Sequence, residues 1–138
     1  MCIFCLAGFG TCLERRTKVT LADGNPPTFV LSGNGYLTSL VIDEPKQRGV
    51  SDDRPVTLWE IQPMRHSRTG RSVEDIGAVK YGVVPEGYKQ VYPANEASPA
   101  ELIAGKKYQY WATTMNAEHA AACFEIRDNK AVAAEYPK

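Results

Sequence analysis

Apolar residues recur at every second position in a series of short runs from Lys18 onward: TKVTL, TFVLSG, YLTSLVID, VTLWEIQP, IGAVKYGVV, YKQVYP, KKYQYWATTMN and FEIRDNKAVAAEY. Period-two alternation places one set of side chains on one face of an extended strand, so these runs predict half-buried β-strands. Turn clusters separate them, among them ADGNPP, the dipeptide NG before Tyr36, PEG at Pro85 and DN at Asp128. Two longer polar stretches, EPKQRGVSDDRP and MRHSRTGRSVED, read as loops, and ANEASPAELIAG carries the chain over to the Tyr108 strand. A helical period is nearly absent because Pro or Gly interrupts each window long enough to hold one. The Ala-rich NAEHAAACFEI is ambiguous and reads as a loop entering a strand. Seven to eight short strands over about 115 residues predict an all-β, antiparallel β-sandwich.

Composition fits one such domain. The chain has 138 residues, 43% of them hydrophobic, and its 16 Lys and Arg balance 16 Asp and Glu. Zero net charge gives no field that would gather nucleic acid, which excludes a dedicated nucleic-acid binder. The apolar opening ends at Glu14, Arg15 and Arg16, well short of the roughly 20 apolar residues a spanning helix needs.

That opening, MCIFCLAGFGTC, holds three of the four cysteines and invites three readings. IFCLAGFG followed by Cys12 resembles the lipobox of bacterial lipoprotein signals, with Thr11 where Gly, Ala or Ser is usual. The resemblance implies cleavage before Cys12 and lipid on its thiol, with residues 1–17 as a signal and anchor segment and residues 18–138 as the folded domain. Alternatively Cys2, Cys5 and Cys12 are metal ligands, since the first pair has C-x2-C spacing. The third reading is an N-terminal extension with no role.

LIAGKKYQYWATTMN sharpens the fold. Leu102 stands six residues before Tyr108, which is followed at period two by Tyr110, Ala112, Thr114 and Asn116. This resembles the strand-F signature of fibronectin type III domains, within the immunoglobulin-like class. It implies a tyrosine corner in which the Tyr108 hydroxyl bonds to backbone a few residues upstream. LWEIQP similarly resembles strand C of that family, with Trp59 and Ile61 inward, and NPPTFVLSG resembles its proline-led strand A. The whole chain, through its cysteine-ended opening together with GNPPTFVLSGNG and YGVVPEGYKQVYP, resembles small bacterial lipoproteins, which implies a location and no activity.

Candidate chemistry is sparse. Cys123 lies four residues after His119, with Asn116 and Glu118 nearby, and a thiol beside an imidazole is the start of a nucleophilic site. On a strand these residues would stand about 13 Å apart, too far for direct proton transfer. Arg65, His66, Arg68 and Arg71 form a cluster suited to anion contact. Asp52 and Asp53 lack the spacing of a calcium loop, and Glu60 has no second carboxylate placed beside it for glycoside hydrolysis.

The face opposite Tyr108 and Tyr110 is the stronger candidate. Alternation turns Trp111, Thr113 and Met115 away from the core and puts Tyr88 and Tyr92 on a single face of their own strand. Exposed aromatic residues suit stacking on sugar rings or contact with a protein. The expectation is therefore a non-catalytic module without cofactor or metal, lipid-anchored in a bacterial cell envelope and facing the periplasm or exterior. Its partners would be the membrane, through the anchor, and an envelope protein or a glycan. A small thiol enzyme using Cys123 and His119, or a soluble domain with an N-terminal cysteine metal site, is the alternative.

Overall fold

A computed structural model describes residues 15–45, 55–65 and 70–136. Nine strands and one helical turn follow one another: β1 Thr17–Ala22, β2 Thr28–Gly33, β3 Tyr36–Glu44, β4 Val56–Pro63, α1 Val73–Ile76, β5 Ala78–Lys80, β6 Tyr88–Tyr92, β7 Lys107–Met115, β8 Ala120–Arg127 and β9 Lys130–Ala134. They form two antiparallel sheets, one ordered β1-β2-β5 and the other β6-β4-β3-β7-β8-β9. The arrangement is an all-β sandwich, as the alternation predicts.

The inward faces supply the core. Phe29 and Leu31 of β2 meet Tyr110 and Phe124 of the larger sheet, where Phe29 packs edge-on at 5.7 and 5.8 Å between ring centroids. Such pairs contribute about 0.5–1.5 kcal/mol each beyond the area they bury. Leu40, Ile42, Trp59, Ile61, Tyr108 and Ile126 complete the layer, all essentially without exposure. The Trp59 indole, apolar in body and polar at one tip, donates to the Gln90 side chain at 2.8 Å, so its burial strands no donor.

The structure revises four details. There are nine strands among the described residues, above the seven to eight expected, because the DN turn opens a further hairpin, β8–β9. Asp128 (φ 51°) and Asn129 (φ 62°) both take left-handed backbone, the pair of conformations a two-residue hairpin turn of the right twist requires. Val73–Ile76 forms a helical turn within the stretch read as polar loop, with buried Val73 anchoring it. TFVLSG is the second strand and not the first, since TKVTL pairs with it along its whole length, from Thr17 opposite Gly33 to Ala22 opposite Thr28. VTLWEIQP is the fourth strand, and YLTSLVIDE takes the central place between it and β7. Hydrophobic alternation already puts TKVTL ahead of TFVLSG and YLTSLVID ahead of VTLWEIQP, so what the pairing revises is their resemblance to strands A and C.

Candidate functional site

The six-stranded sheet turns one face to the core and the other outward. Alternation along β7 sends Tyr108, Tyr110 and Ala112 in and Gln109, Trp111, Thr113 and Met115 out. Register extends this outer face across the sheet. Trp111 lies opposite Val41 on one side and Ala121 on the other, and Met115 lies opposite Tyr36. Tyr36, Trp111 and Met115 are 41–43% exposed, the exposure expected of a face with a free side.

One row away stand Thr57, Asp43, Gln109, Cys123 and Ala134, each opposite the next on successive strands. Cross-strand neighbours of this kind have Cβ atoms about 4.5–5.5 Å apart. Asp43 is only 4% exposed, and its Oδ1 has no hydrogen-bond partner among the described residues. Burial lifts its carboxyl to about 6, against which the hydrogen bond from the Trp111 side chain works in the opposite direction. Tyr136, two residues beyond β9, reaches over this row: the Gln109 amide nitrogen donates to its hydroxyl at 3.4 Å. Burial raises the Tyr136 phenol, and the neighbouring Cys123 and Asp43 raise it further. Lys107 ties the same segment down through its Nζ, which donates to the Glu135 carbonyl at 3.0 Å.

Cys123 faces this outer row and is 1% exposed. Burial pushes its thiol up, and only the Lys107 charge acts the other way. His119 precedes β8 and accepts the Thr114 amide at its Nδ1, 3.1 Å away. Cys123 sits in the extended strand that His119 precedes, where four residues span about 13 Å, and the His119 Nδ1 is taken by the Thr114 amide instead.

Tyr108 makes a hydrogen bond to backbone five residues upstream. The Ile103 amide donates to the Tyr108 hydroxyl at 2.8 Å, with Leu102 and Tyr108 both buried. This bond fixes where β7 enters the sheet, and through it the position of Trp111 three residues on.

Tyr88 departs from the expected binding face. It is 2% exposed, donates to the Leu37 carbonyl at 2.7 Å and accepts the Arg71 amide at 2.9 Å. Tyr92 stays 48% exposed. The two do not share a face because the β4–β6 register shifts between Glu60 and Ile61: Ile61 faces Gln90 while Glu60 faces Tyr92, which leaves Val91 as an extra residue. A bulge of this kind breaks the period of two.

The arginine cluster is only partly described. His66 and Arg68 lie outside the described residues, as do Cys2, Cys5, Cys12, Asp52 and Asp53. Arg65 is exposed. Arg71 spends its guanidinium on backbone, donating to the Glu86 carbonyl at 3.1 Å and the Asp75 carbonyl at 3.2 Å, so its fork is already occupied. No group of three His, Cys, Asp or Glu side chains suited to a metal occurs among the described residues.

Asp43, Gln109, Tyr136 and Tyr36 are the residues that sequence reasoning leaves out of this face. Leu40 and Ile42 pointing inward do place Asp43 on the same side as Val41, so an acid closing an apolar strand was a readable signal. Its neighbours were not, because they depend on the register of three strands. Compared with known proteins, the chain matches no family model, no curated protein and no solved structure.

Proposed function

We propose that this chain is a non-catalytic binding or structural module of the bacterial cell envelope, immunoglobulin-like and closest to fibronectin type III domains, tethered by lipid at Cys12. The observation that carries the binding role is the outer face of the six-stranded sheet, where Tyr36 and Met115 stand exposed opposite one another and Trp111 stands exposed four residues along the same strand from Met115. Large aromatic side chains ordered on a rigid sheet offer contact area at little entropic cost, which suits a glycan or an envelope protein.

Two features support the family reading. Strands β1, β2 and β5 in one sheet and β4, β3, β7 and β8 in the other follow the order A-B-E and C′-C-F-G of immunoglobulin-type sandwiches, with β6 and β9 as additions at the two edges. The Tyr108 corner sits at the start of the strand that corresponds to F. The lipid tether rests on the opening sequence alone.

Intact mass of the protein extracted from its host's membrane fraction tests the address. A species beginning at Cys12 with added acyl mass is expected; a full-length chain in the soluble fraction would overturn the tether. For the binding role, envelope glycan fragments and envelope extracts are titrated against Trp111 emission, with Trp59 buried as an internal reference. Saturable change that Trp111→Phe abolishes is expected, and an unresponsive Trp111 would remove the face from the proposal.

A further inference from the structure

A buried carboxylate oxygen without a donor is unfavourable, costing about 1–3 kcal/mol, and a folded protein that keeps one calls for an explanation. Asp43 Oδ1 is in that position, in the middle of the largest sheet and on its outward face. The groups around it share one chemistry. Trp111 and Tyr136 present half-exposed aromatic rings. Gln109 and Thr57, the cross-strand neighbours of Asp43, are polar and uncharged. The nearby described cations are engaged: Lys107 with the Glu135 carbonyl, and Lys106 with the Glu44 carboxylate at 3.0 Å. Among the described residues the carboxylate therefore has the Trp111 and Tyr136 side chains beside it, an unfilled acceptor, and no cation of its own.

We propose that this face binds a primary ammonium group, with the Asp43 carboxylate as its counter-ion and the Trp111 and Tyr136 rings as its walls. An ammonium supplies what Oδ1 lacks, a charged donor. A neutral hydroxyl in its place would donate a hydrogen bond without neutralising the carboxylate. Asp43 is 4% exposed, so the ammonium reaches it only as the Tyr136 side chain, itself 50% exposed and held to Gln109 by one hydrogen bond of 3.4 Å, swings aside. This inference rests on reading the outer face as a binding surface, and names the chemistry of one ligand group for it.

The test is titration of the full chain with ethanolamine, followed by the indole N–H resonances of Trp111 and Trp59 in nitrogen-15 spectra. Ethylene glycol, nearly the same shape without charge, is the matched control. Ethanolamine is expected to shift the Trp111 resonance saturably and leave Trp59 in place, while ethylene glycol shifts neither. Asp43→Asn should weaken binding at least tenfold.

A second arm needs no substitution: lowering pH from 7.5 to 5 protonates Asp43 and should weaken ethanolamine binding about tenfold, as a carboxyl near 6 requires. Among the described groups facing Asp43, Cys123 and Tyr136 are both raised and stay neutral over this range, and Lys107 is held by the Glu135 carbonyl. No Trp111 shift, an equal shift with ethylene glycol, or undiminished binding at pH 5 would overturn the proposal. Should ethanolamine fail while glycan fragments still move Trp111 emission, the ammonium site falls and the broader binding reading stands.

Discussion

At the scale of single residues, polar atoms placed inside the sandwich set the sharpest expectations. Tyr88 joins three segments with one hydroxyl, donating to Leu37 and accepting from Arg71, so Tyr88→Phe strands a buried carbonyl and an amide together. A loss of about 2 kcal/mol is expected in urea unfolding. Gly70 lies against the same knot: a Cβ there would sit 1.6 Å from the Leu37 carbonyl oxygen and 2.7 Å from the Tyr88 hydroxyl. Gly70→Ala should therefore destabilise more than Tyr88→Phe, because backbone must move to admit the methyl.

Asp43 sets a pH dependence of the opposite sense to an ion-paired acid. Its carboxyl is raised from 3.8 to about 6 on folding, so the folded state holds the proton more tightly, and stability falls as pH rises from about 4 to about 6. Asp43→Asn should remove that dependence and be the more stable form at pH 8, by about 3 kcal/mol, in paired unfolding curves. Legibility at this scale was uneven. The Tyr108 hydrogen bond was readable because the Leu102–Tyr108 stretch resembles a family motif that implies it, whereas the burial of Tyr88 depends on an extra residue at Val91 that alternation cannot register.

Among the elements, the β8–β9 hairpin shows how much a short turn decides. Both of its turn residues need left-handed backbone, which Asp and Asn tolerate and β-branched residues resist. Asn129→Val is expected to destabilise by about 1 kcal/mol and Asn129→Gly to leave stability unchanged or higher, read as a shift in urea midpoint at constant slope. The hairpin also carries Tyr136 to its place over Gln109, so the valine variant should expose Trp111 further to acrylamide quenching. Strand identity was legible along nearly the whole chain, since each element alternates in its own residues. Strand order was not. TFVLSG and VTLWEIQP resemble strands A and C of fibronectin type III domains, yet TKVTL pairs ahead of one and YLTSLVIDE stands ahead of the other. Pairing of that kind is settled by which faces need covering, a property of the assembled sheets.

For the molecule as a whole, the sandwich keeps its one described thiol inactive until it opens. Cys123 is buried and its thiol is raised, so alkylation followed by peptide mapping should find it slow in native protein, with a rate that climbs along with denaturant-induced unfolding. Fast native labelling of Cys123 would revive a thiol chemistry that the geometry does not support. The two sheets are also stitched together where the described chain starts. Thr17 heads β1 in the smaller sheet, yet its amide donates to the Glu118 carbonyl at 3.0 Å, and the Glu118 amide donates to the Arg15 carbonyl at 2.8 Å, beside the β7–β8 turn of the larger sheet. Arg16 adds an ion pair to Glu118 and accepts the Asn34 amide at its carbonyl. Mechanically, this seam is a strain relief: tension arriving at Arg15 is shared between both sheets before β1 can peel from β2.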